Sequence, residues 1–230
     1  MLNIERVRET IRKNRATSYG LTIVVGLPFP AHICARIGQL QQQIEALVPG
    51  RFVWYSPEQC HATVVAPLRG LYRPAPPVQQ QELPANLAGF FKALAAFAGQ
   101  TRPFTLALAG VYLMPNGVVL LSEQTVGQQL AVRLQNFPEL DRPKHLRGLS
   151  VSIGYLNSPN PVATGQQKQR VAQSLQAMAA ASIGQTMVQQ LWLVHYANRT
   201  LNQVVGKVAL PLGRSTCRPV EQWPGELGIA

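Results

Sequence analysis

Charge and cysteine are both scarce in this chain of 230 residues. Only 13% of positions are Asp, Glu, Lys or Arg, so Gln, Asn, Ser and Thr must supply much of the polar surface. The three cysteines, Cys34, Cys60 and Cys217, are odd in number and widely spaced. That argues against a disulfide framework or a zinc cluster and makes a reducing cytoplasm the default expectation. No apolar run is long enough to span a bilayer; the best, Leu87 to Ala98, is short and interrupted by Lys92. The opening MLNIERVRETIRKNR is charged and has no apolar stretch, so no secretory signal is expected. Glycine-rich phosphate loops of the P-loop or dinucleotide type are missing, and no cluster of carboxylates or histidines suggests a metal. The sequence therefore implies no cofactor.

What is present is apolar and basic. Apolar residues make up 47% of the chain, enough for one large domain or two compact lobes with a real core. Lys and Arg total 21 against 10 Asp and Glu, a formal charge of +11 with a pI near 10.2. Such a surplus attracts phosphates, nucleic acids or anionic membranes. The arginines are scattered rather than gathered into a run, which equally suits a solvated basic surface.

Residues 2 to 15 read as a short basic helix. Leu21 to Leu27 (LTIVVGL) reads as a buried strand, and Ala31 to Leu47 as a helix with Ile33, Ile37, Leu40, Ile44 and Leu47 in one stripe. Two strands follow, Phe52 to Tyr55 and Gln59 to Leu68, then a Pro- and Gln-rich loop from Tyr72 to Pro84. Asn86 to Ala98 is a helix. Phe104 to Leu113 and Val118 to Ser122 form a hairpin over Met114-Pro115-Asn116-Gly117. Val126 to Phe137 is helical, Leu146 to Leu156 a strand and Gln166 to Ala181 a helix. Met187 to Asn198 and Leu201 to Leu210 close the chain as a hairpin, and the tail from Arg214 onward is expected to wrap the surface. This order predicts an α+β fold: two similar lobes of mostly antiparallel sheet flanked by helices. The expected boundaries are a basic helix over 1–19, a two-lobed domain over 20–212 and a tail over 213–230.

One strand in each half carries a polar pair. In Cys60-HATVVAP-Leu68, alternation puts His61, Thr63 and Val65 on one face and Cys60, Ala62, Val64 and Ala66 on the other. An imidazole and a hydroxyl side by side suit work on a phosphate. The second strand has the same layout, with Ser150, Ser152 and Gly154 on one face and Leu149, Val151, Ile153 and Tyr155 on the other.

With its element order and the interval between the two sites, this pattern resembles the 2H phosphoesterase superfamily. That group includes the RNA 2′,3′-cyclic phosphodiesterases, also called 2′-5′ RNA ligases. Its members carry two His-x-Thr/Ser motifs with hydrophobic flanks, one per lobe, facing each other across a groove. His61-Ala-Thr63-Val64 matches the first. Ser150-Val-Ser152-Ile153 stands where the second belongs, with serine in place of histidine. The resemblance covers roughly residues 20 to 212. It implies metal-free chemistry in which one histidine takes a proton from the attacking oxygen and the other protonates the leaving oxygen. The Thr/Ser hydroxyls hold the phosphate.

The catalytic candidates are therefore His61, Thr63, Ser150 and Ser152. Serine cannot replace histidine as a proton carrier without an activator, so phosphate binding is expected more firmly than turnover. Arg69, Arg73 and Arg147 are candidates to contact phosphates from the groove edge, or else are solvated rim residues. Tyr155 offers a ring to a base, although alternation also suits it to the core. His195, in LWLVHYANR, completes the binding candidates and with His145 is an alternative proton donor; each also reads as an ordinary surface or hydrogen-bonded core histidine. Two functions stay open. One is a protein binding a nucleotide or RNA-end phosphate in an interlobe groove, with weak cyclic phosphodiesterase activity. The other is an inactive binding or scaffold protein of the same fold, with an RNA or protein partner.

Overall fold

The computed structural model describes residues 4–17, 19–65, 87–114, 117–122, 124–138, 140, 149–157, 173–174, 178, 182–214 and 219–229. Within them run α1 (Ile4–Arg15), β1 (Gly20–Gly26), α2 (Ala31–Leu47), β2 (Phe52–Trp54), β3 (His61–Val65), α3 (Leu87–Gln100), β4 (Phe104–Met114) and β5 (Gly117–Ser122). Then come α4 (Gln124–Leu134), β6 (Ser150–Leu156), β7 (Ser182–Val188), β8 (Gln190–Tyr196), β9 (Val204–Pro211) and a one-turn α5 (Trp223–Glu226). The fold is α+β, as the element order predicts. The strands join in the order β7-β4-β5-β6-β3-β1-β8-β9, with β2 also on β6, and the pairings are antiparallel.

Alternation sends one set of strand side chains toward the helices. Leu21, Ile23 and Val25 of β1, Ala62 and Val64 of β3, Val151 and Ile153 of β6, and Leu106 and Leu108 of β4 share one core with the helices. α2 contributes Ile33, Ile37, Leu40 and Ile44, and α3 contributes Phe90, Phe91, Leu94 and Phe97. Of the stripe predicted on α2, Leu47 alone is exposed. A smaller cluster of Val24, Leu27, Val194, Tyr196 and Leu201 forms separately. Ile23 and Val24 thus belong to different clusters, so β1 is covered on both faces. That is why LTIVVGL reads as an unbroken apolar run.

The two halves repeat each other's register. In the first, β1 meets β3 as Ile23↔Val65, Val24↔Thr63, Val25↔Ala62 and Gly26↔His61. In the second, β5 meets β6 as Val118↔Gly154, Val119↔Ser152, Leu120↔Val151 and Leu121↔Ser150. Each ladder skips one residue at the corresponding place, Val64 in β3 and Ile153 in β6. Such a bulge adds an unpaired residue and bends the strand. Both bulges directly follow the hydroxyl residue of the motif. The halves join through β3 and β6 at Ala62↔Val151.

Three expectations change. The closing strand Met187 to Asn198 is two strands broken at Gln189: β7 pairs with β4, and β8 pairs with β1 and β9. A one-residue link between strands so far apart in the strand order requires the sheet to curl until its two flanks approach. The leading part of the predicted strand Gln59 to Leu68 is instead a 3₁₀ turn, Pro57–Gln59, which leads into β3. The tail does not merely wrap the surface. Trp223 is fully buried, its ring 5.4 Å from Phe91, and Leu227 is buried beside it. The loop Tyr72 to Pro84, His145 and most of the predicted helix Gln166 to Ala181 lie outside the described residues.

Candidate functional site

The motif strands are held from outside the motif. Gln41, buried on α2, donates through Nε2 to the carbonyls of Tyr55 (2.7 Å) and Ile153 (2.9 Å). One helix side chain thus fixes the end of β2 and the bulge of β6. Trp54 lies over Gly154, where a Cβ would stand 2.6 Å from its ring. Only glycine lets β2 approach β6 so closely.

In β3 the 3₁₀ turn sets the histidine. His61 Nδ1 lies 2.9 Å from the Gln59 carbonyl oxygen. A carbonyl only accepts, so Nδ1 carries the proton and Nε2 is left as the nitrogen that exchanges one. His61 is half-buried. Burial holds its pKa below the usual histidine value, with the Gln59 carbonyl pulling it partly back. The imidazole is therefore neutral near pH 7 and ready to accept a proton.

Antiparallel continuation from Ala62↔Val151 sets His61 opposite Ser152 and Thr63 opposite Ser150. A cavity of about 480 Å³ opens above this place, within the range of small-ligand sites. Its lining includes His61, Thr63, Ser152, Gly154 and Tyr155 from the motif strands. Tyr55, Gly117 and Val119 border it on one side and Thr22, Tyr196 and Leu201 on the other. The structure thus brings His61, Thr63, Ser152 and Tyr155 together. Ser150 is exposed on the same face of β6, one alternation step beyond Ser152, and is not among the described lining residues.

Tyr155 is half-buried, packs on Tyr55 with ring centroids 5.9 Å apart, and still borders the cavity. His195 is buried, with Nδ1 2.8 Å from the Leu227 carbonyl, and is not among the described lining residues. Burial lowers its pKa as well. Arg69, Arg73 and Arg147 lie outside the described residues. Among the described residues no three His, Cys, Asp or Glu side chains converge as a metal site would need, and no helix is long and apolar enough to cross a membrane.

Sequence reasoning missed one wall. Glu9, Thr10, Lys13 and Asn14 of α1 face the cavity, joined by Arg199 from the β8–β9 turn. The spacing of these α1 residues marks one helical face. The signal was in the sequence, but nothing local says which strand a terminal helix will cover.

No protein-family model and no curated protein matches the chain. Solved structures do. A conserved protein of unknown function from Agrobacterium tumefaciens str. C58, ATU0111, is 17% identical with a TM-score of 0.57, over 84% of this chain and 86% of that one. TT0787 of Thermus thermophilus is 16% identical with a TM-score of 0.51, over 83% of this chain and 97% of that one. E. coli LigT, solved in complex with 3′-AMP, is 16% identical with a TM-score of 0.44, over 88% of this chain and all of that one. The likeness is one of fold: the chain has the antiparallel α+β architecture that its resemblance to the 2H phosphoesterases implied.

Proposed function

We propose that the cavity is a phosphate site of the 2H type, and that the chain binds a nucleotide or RNA-end phosphate there with slow cyclic phosphodiesterase activity. The observation that carries this reading is the doubled register. Ser150 and Ser152 occupy in the second half the positions that His61 and Thr63 occupy in the first, each pair followed by a bulge. Two strands so matched turn their polar pairs to one side, and a cavity lies there.

Thr63 and Ser152 donate hydrogen bonds to phosphate oxygens, and such charge-assisted bonds are the stronger kind. His61 Nε2 takes the proton of a water attacking phosphorus. As the new P–O bond forms, the bond to the ring oxygen of the cyclic phosphate breaks, and that oxygen needs a proton. Ser150 is no acid for this step, so the leaving oxygen draws on solvent. Losing one of two acid–base groups slows such chemistry by roughly two to four orders of magnitude.

The second reading, binding without turnover, is favoured by the same Ser150. Hydrolysis of an RNA ending in a 2′,3′-cyclic phosphate separates the two. On the first reading the purified protein turns over slowly, His61→Ala removes the rate, and Ser150→His raises it. An unchanged rate in His61→Ala would remove the enzymatic reading. Tight binding with no turnover in either wild type or Ser150→His favours the second.

A further inference from the structure

α1 is built into the cavity rather than appended to it. Ile11 is buried in the main core. Asn198 Nδ2 donates to the Asn14 carbonyl at 3.1 Å, and Arg15 donates to Asn157 Oδ1 at 2.8 Å. The helix is thereby pinned between the end of β6 and the β8–β9 turn. The turn itself is fixed by Asn198 Oδ1, which accepts from the Thr200 amide at 2.8 Å. Lys13 and Arg199 therefore reach the cavity from two anchored elements.

Their place matters. In the strand order the motif strands β3 and β6 are separated from β8 by β1. Neighbouring strands lie about 4.8 Å apart, so β8 lies on the order of 10 Å to the side of Thr63. Thr63 is level with Val24 and Trp192, and the β8–β9 turn follows Tyr196, so the turn lies farther still. One phosphate seated on Thr63 and Ser152 does not span that distance. A cation there serves a second anionic group.

We propose that Lys13 and Arg199 form a subsite for a second phosphate of the same ligand, and that Glu9 occupies it when no ligand is bound. This rests on the phosphate-site reading above. Glu9 Oε1 lies 2.5 Å from Lys13 Nζ on the cavity-facing side of α1. Lys13 foremost, then Arg12 and Arg199, hold the Glu9 carboxyl below its usual range. The carboxylate is the anion Lys13 already holds, with the Arg199 charge acting from further off, and a ligand phosphate displaces it. The ligand class is then a nucleotide chain end with one phosphate beyond the reacting one, as an internal phosphodiester or a 5′-phosphate.

The test compares affinities of the whole chain for four probes. These are a nucleoside 2′,3′-cyclic phosphate, the same with a 5′-phosphate, a dinucleotide with the same cyclic end, and that dinucleotide with a neutral methylphosphonate linkage. The proposal expects the dinucleotide or the 5′-phosphate form to bind about tenfold tighter than the first and last probes. Which of the two gains identifies the source of the second phosphate. Lys13→Gln with Arg199→Gln should erase the gain, read as the ratio of the two affinities within each protein, while Glu9→Gln should enlarge it. If neither the charged dinucleotide nor the 5′-phosphate form gains over the uncharged probes, or the gain survives the double variant, the subsite is wrong while the phosphate site stands. If no probe binds, both fall.

Discussion

At the scale of single residues, the site is one histidine and a set of hydroxyls. A depressed histidine pKa has a definite sign. As pH falls, the unfolded chain takes up the proton first, so stability drops as pH passes down through about 6.5 and levels off below the folded value. His61 and His195 share this direction, both through burial. The urea midpoint should therefore fall between pH 7 and pH 5, and His61→Asn should remove part of that fall. A phosphate beside His61 acts oppositely and favours the imidazolium. Ligand binding should take up a proton near neutral pH, which calorimetry in buffers of different ionisation enthalpy reads directly. The polar pairs were legible because alternation holds over the residues ahead of each bulge: His61 with Thr63 and Ser150 with Ser152 follow from sequence alone, whereas Val65 and Tyr155, beyond the bulges, change face. Which imidazole nitrogen faces the ligand was not legible, because it depends on the Gln59 carbonyl in a turn that read as strand.

At the scale of elements, the site depends on contacts remote in sequence. Gln41 joins α2 to the Tyr55 and Ile153 carbonyls. Gln41→Leu takes the side-chain donor from the Tyr55 carbonyl and leaves the Ile153 carbonyl only the Tyr55 N–H, and should cost about 1–3 kcal/mol, read as a lower urea midpoint. It should also weaken phosphate binding, since the β6 bulge adjoins Ser152. The tail makes a second test. Trp223 fills the core against Phe91. Trp223→Ala should cost about 3–5 kcal/mol, far more than a surface tail would show. The long helices and the β4–β5 hairpin were legible from periodicity and from the Asn116-Gly117 turn. The break at Gln189 was not: alternation slips by one residue there, with Gln189 and Gln190 both exposed between buried Val188 and Leu191, and in sequence such a slip reads equally as a bulge within one strand. The tail's burial was hidden for a similar reason, since a lone Trp223 between prolines carries no period.

At the scale of the whole molecule, charge and curvature combine. A formal charge of +11 favours anions in general, and a curled sheet with α1 along it provides the cavity in which the proposed phosphate would sit. Binding of an RNA end should weaken steeply with salt, and Lys13→Gln with Arg199→Gln should lower the log–log slope by about 0.7, for the one phosphate they would hold. The antiparallel α+β fold was legible from the order of elements, and the matching of its halves from the repeated polar strand. The shared wall of α1 was not, since terminal helices dock by tertiary contacts such as Asn198 with the Asn14 carbonyl.

The measurement closest to the central claim is the affinity of the chain for an RNA ending in a 2′,3′-cyclic phosphate, compared with that of Thr63→Val combined with Ser152→Ala. The account predicts binding by the wild type and a loss of about a hundredfold or more in the double variant, at an unchanged Tm. Equal affinity in the two proteins would contradict it.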